Sequence, residues 1–113
     1  MRNRTSVSSE LLPGTLDILI LKTLTRGPAH GYAIARHLER VSGDALRVGE
    51  SSLYPALQRL LVNDWVTTAW GESDLGRRAR VYRLTAAGRK RLAQETAEFT
   101  RLTGTIVAIL EGA

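Results

Sequence analysis

The residues with the most chemistry to offer are cationic. Between positions 77 and 91 the chain carries Arg77, Arg78, Arg80, Arg83, Arg89, Lys90 and Arg91, seven of its sixteen lysines and arginines, with no acid among them. Such a run places fixed positive charge where the phosphates of a polyanion would lie, which an equal but scattered net charge does not do. A second set stands upstream at Ser51, Ser52, Tyr54, Gln58 and Arg59. Glutamine pairs with the edge of adenine and arginine with that of guanine, each through two hydrogen bonds, and such a pair discriminates by about 1–3 kcal/mol against a wrong base. The three hydroxyls suit phosphate oxygens at a groove edge, as do the free N–H groups of a helix N-terminus.

Nothing comparable points to catalysis. His30 and His37 are seven residues apart, hence on one helical face, and Asp44 follows. Two imidazoles and one distant carboxylate make a thin ligand set for a metal. The chain has no cysteine, which removes disulfides, thiolate zinc sites and a thiol nucleophile and suits a reducing cytoplasm. No glycine loop of phosphate-cradling pattern and no nucleophile–base pair is legible from spacing. The sequence reads as a protein without enzymatic activity, cofactor or metal.

The elements that must position the two cationic and polar sets follow from periodicity. Leu11 to Thr15, with Pro13, suits the start of a first helix that runs to about Thr25, where Arg26-Gly27-Pro28 stops it. Ile18 and Leu21 are apolar as well as Leu16, Leu19, Ile20 and Leu24, so this helix must be covered on more than one side, in part by a second subunit. A second helix begins near His30 and ends by Ser42-Gly43, with Ile34, Ala35, Leu38 and Val41 inward. Tyr32, at its start, lies where such a helix approaches a phosphate backbone. The third helix is expected from Ser51 to about Asn63. Leu53, Ala56, Leu57, Leu60 and Leu61 share one side, and Ser51, Pro55, Gln58, Arg59 and Val62 the other. Ser51 or Ser52 is the natural N-cap; with Ser52 in that role Pro55 takes the third helical position, where its missing N–H costs nothing. Tyr54 is lateral and suits either a phosphate contact or packing against the hairpin. The two strands of that hairpin, residues 65–70 and 80–84, bracket a loop holding Arg77 and Arg78; Trp65 and Trp70 read as packing residues there.

After Thr85, a natural N-cap, one long helix continues. Leu92, Phe99 and Ile106 repeat every seven residues, as do Leu102 and Ile109, with Glu95 the one poor fit. This is the seam of a coiled coil, and self-association is the simplest way to cover it. The divisions expected are a loose arm over residues 1–10, in which Arg2 and Arg4 could touch a phosphate backbone, a helical and hairpin domain over 11–85, and a dimerisation helix over 86–113.

The bulk numbers agree. A chain of 113 residues is one domain, 43% hydrophobic and 24% charged, with a formal net charge of +5. Its most apolar stretch, residues 16–24, contains Asp17 and Lys22 and is too short to cross a bilayer, and the first ten residues carry no secretory pattern. A soluble cytoplasmic protein with no membrane partner is expected.

Helix, helix, helix, hairpin is the order of a winged helix-turn-helix, so the fold class expected is mainly α with a small β-hairpin and a long C-terminal helix. In detail the sequence resembles the PadR family of bacterial transcriptional regulators, in its shorter form with one C-terminal helix. The resemblance runs from about Leu11 onward and rests on Gly31-Tyr32, on Ser52-Leu53-Tyr54-Pro55-Ala56-Leu57 with Arg59-Leu60, and on Tyr82-Arg83-Leu84-Thr85-Ala86-Ala87-Gly88. It implies a homodimer on a double-stranded DNA operator with dyad symmetry, usually acting as a repressor, its C-terminal helix packing on the partner's first helix. In many relatives a small aromatic or hydrophobic effector relieves repression, and Phe99 is placed to stack on one. Leu61-Val62-Asn63-Asp64-Trp65 departs from the family, where a more acidic stretch and a glycine are common. The rival reading is a winged helix that docks a protein through its third helix without reading DNA sequence. A protein-docking wing has no need of Arg77, Arg78, Arg80 and Arg83, and steep weakening of duplex binding with salt separates the two.

Overall fold

The computed structural model describes residues 14–72 and 76–112. The expected arm over residues 1–10, with its Arg2 and Arg4, the expected helix start at Leu11 to Pro13, and the middle of the hairpin loop lie outside the described residues. The elements are α1 (Thr15–Leu24), β1 (Ala29–His30), α2 (Gly31–Val41), α3 (Glu50–Val62), β2 (Val66–Glu72), β3 (Arg78–Leu84) and α4 (Ala86–Leu110).

The core forms where the apolar stripes of the first three helices meet the base of the hairpin. Leu16, Ile20, Leu21 and Leu24 of α1 join Ile34, Ala35 and Leu38 of α2 and Leu53, Ala56, Leu57 and Leu60 of α3. Val48, Val66 and Tyr82 close the cluster. Fully burying an aliphatic side chain is worth about 1.5–3 kcal/mol, so α3 is fixed by one face while its other face stays in water. The hydroxyl of Thr23, buried on α1, is satisfied by donating to the Leu19 carbonyl at 2.8 Å.

Several details depart from the sequence expectation. β1 was not expected: Ala29 and His30 pair antiparallel with Tyr82 and Val81 of β3, making a three-stranded sheet in the order β1-β3-β2. A two-residue strand beside a Gly-Pro breaker leaves no periodicity to read. His30 also caps α2, its Nδ1 accepting from the Ala33 N–H at 3.2 Å. The α3 N-cap is Gly49, whose carbonyl accepts from Ser52 and Leu53 N–H, and no side chain caps that end. Ser51 and Ser52 therefore lie inside the helix, and Pro55 falls at the sixth helical position instead of the third. There it leaves the carbonyl of the exposed Ser51 without an N–H donor, which water can replace.

The strands are longer than expected. Val66–Glu72 pairs with Arg78–Leu84 in continuous register, from Val66 opposite Leu84 to Glu72 opposite Arg78. Arg78 is thus a strand residue rather than a loop residue. The cross-strand match of Trp70 with Arg80 explains the extension, since aromatic and long side chains pack well across a ladder.

The turn from α3 into β2 fixes α4. Asp64 has φ 61°, the left-handed conformation that glycine adopts most cheaply and that Asp and Asn tolerate. Thr85 caps α4, its Oγ1 accepting from Gly88 N–H at 2.9 Å and donating to the Asp64 carbonyl at 2.8 Å. A Cβ on Gly88 would stand 2.1 Å from the Trp65 carbonyl oxygen and 2.8 Å from Leu84 Cδ1. Gly88→Ala must push α4 off this turn, at a cost of about 2–3 kcal/mol. The thermal midpoint, followed by circular dichroism, is expected to fall by about 10–20 °C; an unchanged midpoint would mean that α4 seats elsewhere.

Leu92 packs partly buried against the core of its own chain, so its assignment to the dimer seam is corrected. α4 also contacts α1, and half-buried Ile18 lines a cleft between the two helices. Beyond Glu95 every described residue of α4 is exposed.

Candidate nucleic-acid interface

The outward face of α3 carries Ser51, Tyr54, Pro55, Gln58, Arg59 and Val62, all exposed, with Ser52 half-buried at its edge. Backbone and core packing hold this face rigidly, because Leu53, Ala56, Leu57 and Leu60 on the opposite side are buried. Gly31 lets α2 come close: a Cβ there would lie 3.4 Å from Leu53, 3.6 Å from Leu57 and 3.7 Å from the Tyr54 ring. The first turn of α2, with exposed Tyr32, therefore adjoins the first half of α3. Tyr54 is half-exposed, which leaves its hydroxyl accessible while one ring edge packs on α2.

Arg59 stands differently from its sequence assignment. Its guanidinium donates from Nη2 to Asp17 Oδ1 at 2.7 Å and from Nε to Asp17 Oδ2 at 3.2 Å. The two-pronged fork expected to meet guanine is thus spent on a carboxylate of α1, which also holds the arginine pKa above its ordinary value. Asp17 and Arg59 lie 42 residues apart, a separation over which spacing predicts nothing. The pair links α3 to α1 and leaves the Arg59 side chain 53% exposed. Gln58 is the amide on the exposed face, with separate donor and acceptor atoms to present to a base.

β3 carries Arg78 and Arg80 on one face of the hairpin. Arg78 and Arg80 of β3 lie over the ring of Trp70, at 4.4 and 4.9 Å from its centroid. Trp70 is 57% exposed, so it is not the packing residue expected from sequence; it is an aromatic platform that holds two guanidinium groups extended at about 0.5–1 kcal/mol each. Spacing alone does not reveal this role, and the signal for it is the strand register that sets residue 70 beside residue 80. Arg77 precedes β3 and is exposed, and Arg83 is exposed on the other face, opposite Thr67. Burial pushes the Tyr82 hydroxyl above its ordinary pKa, with Tyr54 adding to that and Arg80 opposing it, so Tyr82 is a neutral core group at the root of the charged face.

Along the distal half of α4, Phe99, Leu102, Ile106 and Ile109 are exposed by 38, 53, 41 and 62%. Glu95, the residue that breaks the heptad, is half-buried and paired with Arg91 at 2.9 Å. A cleft of about 380 Å³ lies between the start of α1 and α4, with Ile18, Phe99 and Leu102 among its walls. Among the described residues no three of His, Asp and Glu converge as a metal site, and no helix is long and apolar enough to cross a membrane.

A helix with a small polar outer face, braced by two others and flanked by a charged hairpin, is the design of a winged helix-turn-helix protein. Comparison with known proteins makes the class specific. Residues 20–94 match the transcriptional regulator PadR-like family, and the chain belongs to it. A PadR-like transcription factor of Bacteroides fragilis is 32% identical, superposes with a TM-score of 0.71, and shares 91% of this chain and 97% of its own. A transcriptional regulator of Clostridium thermocellum is 29% identical with a TM-score of 0.75, over 84% of this chain and 91% of that one. A protein of Lysinibacillus sphaericus is 26% identical over 106 residues, 94% of this chain and 97% of its own. The protein is a DNA-binding transcriptional regulator and not an enzyme.

Proposed function

We propose that the protein works in the cytoplasm as a homodimeric repressor on an operator with dyad symmetry. The observation that carries this is the uncovered apolar face of α4, where Phe99, Leu102, Ile106 and Ile109 stand in water on a helix that leaves the body. A second copy would bury it and set two α3 helices at a fixed spacing, which a palindromic site mirrors.

The division of labour comes from side-chain chemistry. Gln58, at the centre of the exposed α3 face, reads an adenine edge. Ser51, Ser52, Tyr54 and Tyr32 hold phosphates beside it, and Pro55 lies close without specifying a base. Arg77, Arg78 and Arg80 grip the backbone or an adjacent minor groove from the hairpin, supplying affinity more than choice. Repression, and its relief by a small hydrophobic or aromatic effector, are supported by the family; the cleft beside Phe99 and Leu102 is of a size for such a compound.

Selection from random duplex DNA tests the reading directly. A motif with two-fold symmetry is expected for the wild type. Gln58→Ala should lose preference at one position of each half-site, about 1–3 kcal/mol or 5- to 150-fold, with total affinity on random duplex little changed. An asymmetric motif, or an unaltered motif from the variant, would remove the assignment.

A further inference from the structure

A second basic surface adjoins the edge of the α3 face. The turn after α1 and the exposed flank of α2 enclose a concavity of about 510 Å³, whose walls include Arg26, Tyr32, Arg36, His37 and Arg40 and no acidic residue. Glu39 and Asp44 are near enough for Arg36 to feel, but none of the three arginines is ion-paired among the described residues.

Two of these arginines are held in place without being neutralised. Arg36 Nη1 donates to the Tyr32 hydroxyl at 2.9 Å and its guanidinium lies 5.7 Å from the centre of that ring. Arg40 Nη2 lies 3.3 Å from His37 Nδ1; arginine has only donors, so the imidazole is the acceptor. Partial burial first, then Arg26 and Arg40, hold the His37 pKa below its ordinary value. Neutral neighbours that orient cations keep the charge available to an outside anion, which an acidic partner would not.

We propose that this concavity is a second phosphate-binding surface, gripping the duplex backbone beyond the stretch that α3 reads. The inference rests on the protein's binding of duplex DNA. Its occupant is set by continuity and spacing: Tyr32 belongs both to this surface and to the edge of the α3 face. From Tyr32 to Arg40 the helix rises about 12 Å, enough to follow two successive phosphates of one strand away from the motif.

The test compares two duplexes with the same selected motif, one ending at the motif and one extended by about 5 bp, half a turn, on each side. Wild type is expected to bind the longer duplex about tenfold more tightly. Arg36→Ala with Arg40→Ala should lose that gain. Its slope of log affinity against log salt on the longer duplex should fall by about 2, at roughly 0.9 per phosphate. Arg36→Lys with Arg40→Lys should restore the slope. Ethylating phosphates just outside the motif should also block the wild type, a measurement that needs no variant. If wild type binds both duplexes equally, or the alanine variant keeps both gain and slope, the surface does not hold phosphate although DNA binding stands. If wild type binds neither duplex, the DNA reading fails and takes this inference with it.

Discussion

Phe99→Asp combined with Ile106→Asp is expected to turn the proposed dimer into a folded monomer and to lower operator affinity by about 10²–10⁴-fold. The size of the effect comes from linkage. Once one α3 is seated, the second binds as an intramolecular event, and losing the connection forfeits that effective concentration. Aspartates facing each other across an apolar seam cost several kcal/mol through desolvation without partners and like-charge repulsion, more than a helix pair of this length recovers. Both positions are exposed within one chain, and α4 is anchored separately by Leu92, Thr85 and Gly88. The circular dichroism spectrum should therefore stay helical while light scattering gives half the wild-type mass. A variant that still scatters as a dimer would mean that the copies meet through another face, and the operator would lose its expected two-fold spacing.

How far the sequence went is clearest at α3 and at the hairpin. The α3 stripe of Leu53, Ala56, Leu57 and Leu60 is strictly helical in period, so the buried face, and with it the exposed set around Gln58, was legible to within a residue at each end. Caps were less so. Thr85 has the side chain and the position for its role and is legible; Gly49 caps through backbone alone, and two nearby serines with better side chains for capping draw the expectation away from it. Arg59 could not be placed, because its partner Asp17 is on another element and nothing local marks a pair so distant in sequence. Trp70 is hidden for the same reason in a different form. Alternation identifies a strand, but only the pairing register decides which residue lies across from it, and that register puts two arginines on its ring. The long α4 seam reads as uniform in sequence, whereas docking of its first turns at the α3–β2 corner gives Leu92 to the core and leaves the residues from Phe99 onward uncovered.

Asp17 sits one position before Ile18, which lines the cleft beside α4, and it holds Arg59 of α3 by two hydrogen bonds, so α1 touches both places. The pair itself is worth little to stability, since the arginine side chain is 53% exposed and an ion pair so placed contributes about 0.2–1 kcal/mol. Its weight lies in orientation.

The wing gives the second large effect. Arg77→Ala, Arg78→Ala and Arg80→Ala together are expected to lower affinity for every duplex by about 10²-fold or more at moderate salt. The slope of log affinity against log salt should flatten by up to about 3, because each phosphate neutralised releases close to one counterion. The selected motif should not change, since phosphate contacts position the protein and carry no base code. Trp70→Ala separates charge from placement. It removes no cation, so the salt slope should stay near wild type. It does leave Arg78 and Arg80 without the surface that extends them, and reordering such side chains on binding costs about 0.5–1.5 kcal/mol each. A fall in affinity of roughly 5- to 100-fold at constant slope is the expected result for Trp70→Ala, and a steep loss of slope for the triple variant. Both are read from titrations of labelled duplex at several salt concentrations. Should the triple variant keep its slope and alter the motif instead, the hairpin would be a base reader, and the sharing of roles between it and α3 would have to be reversed.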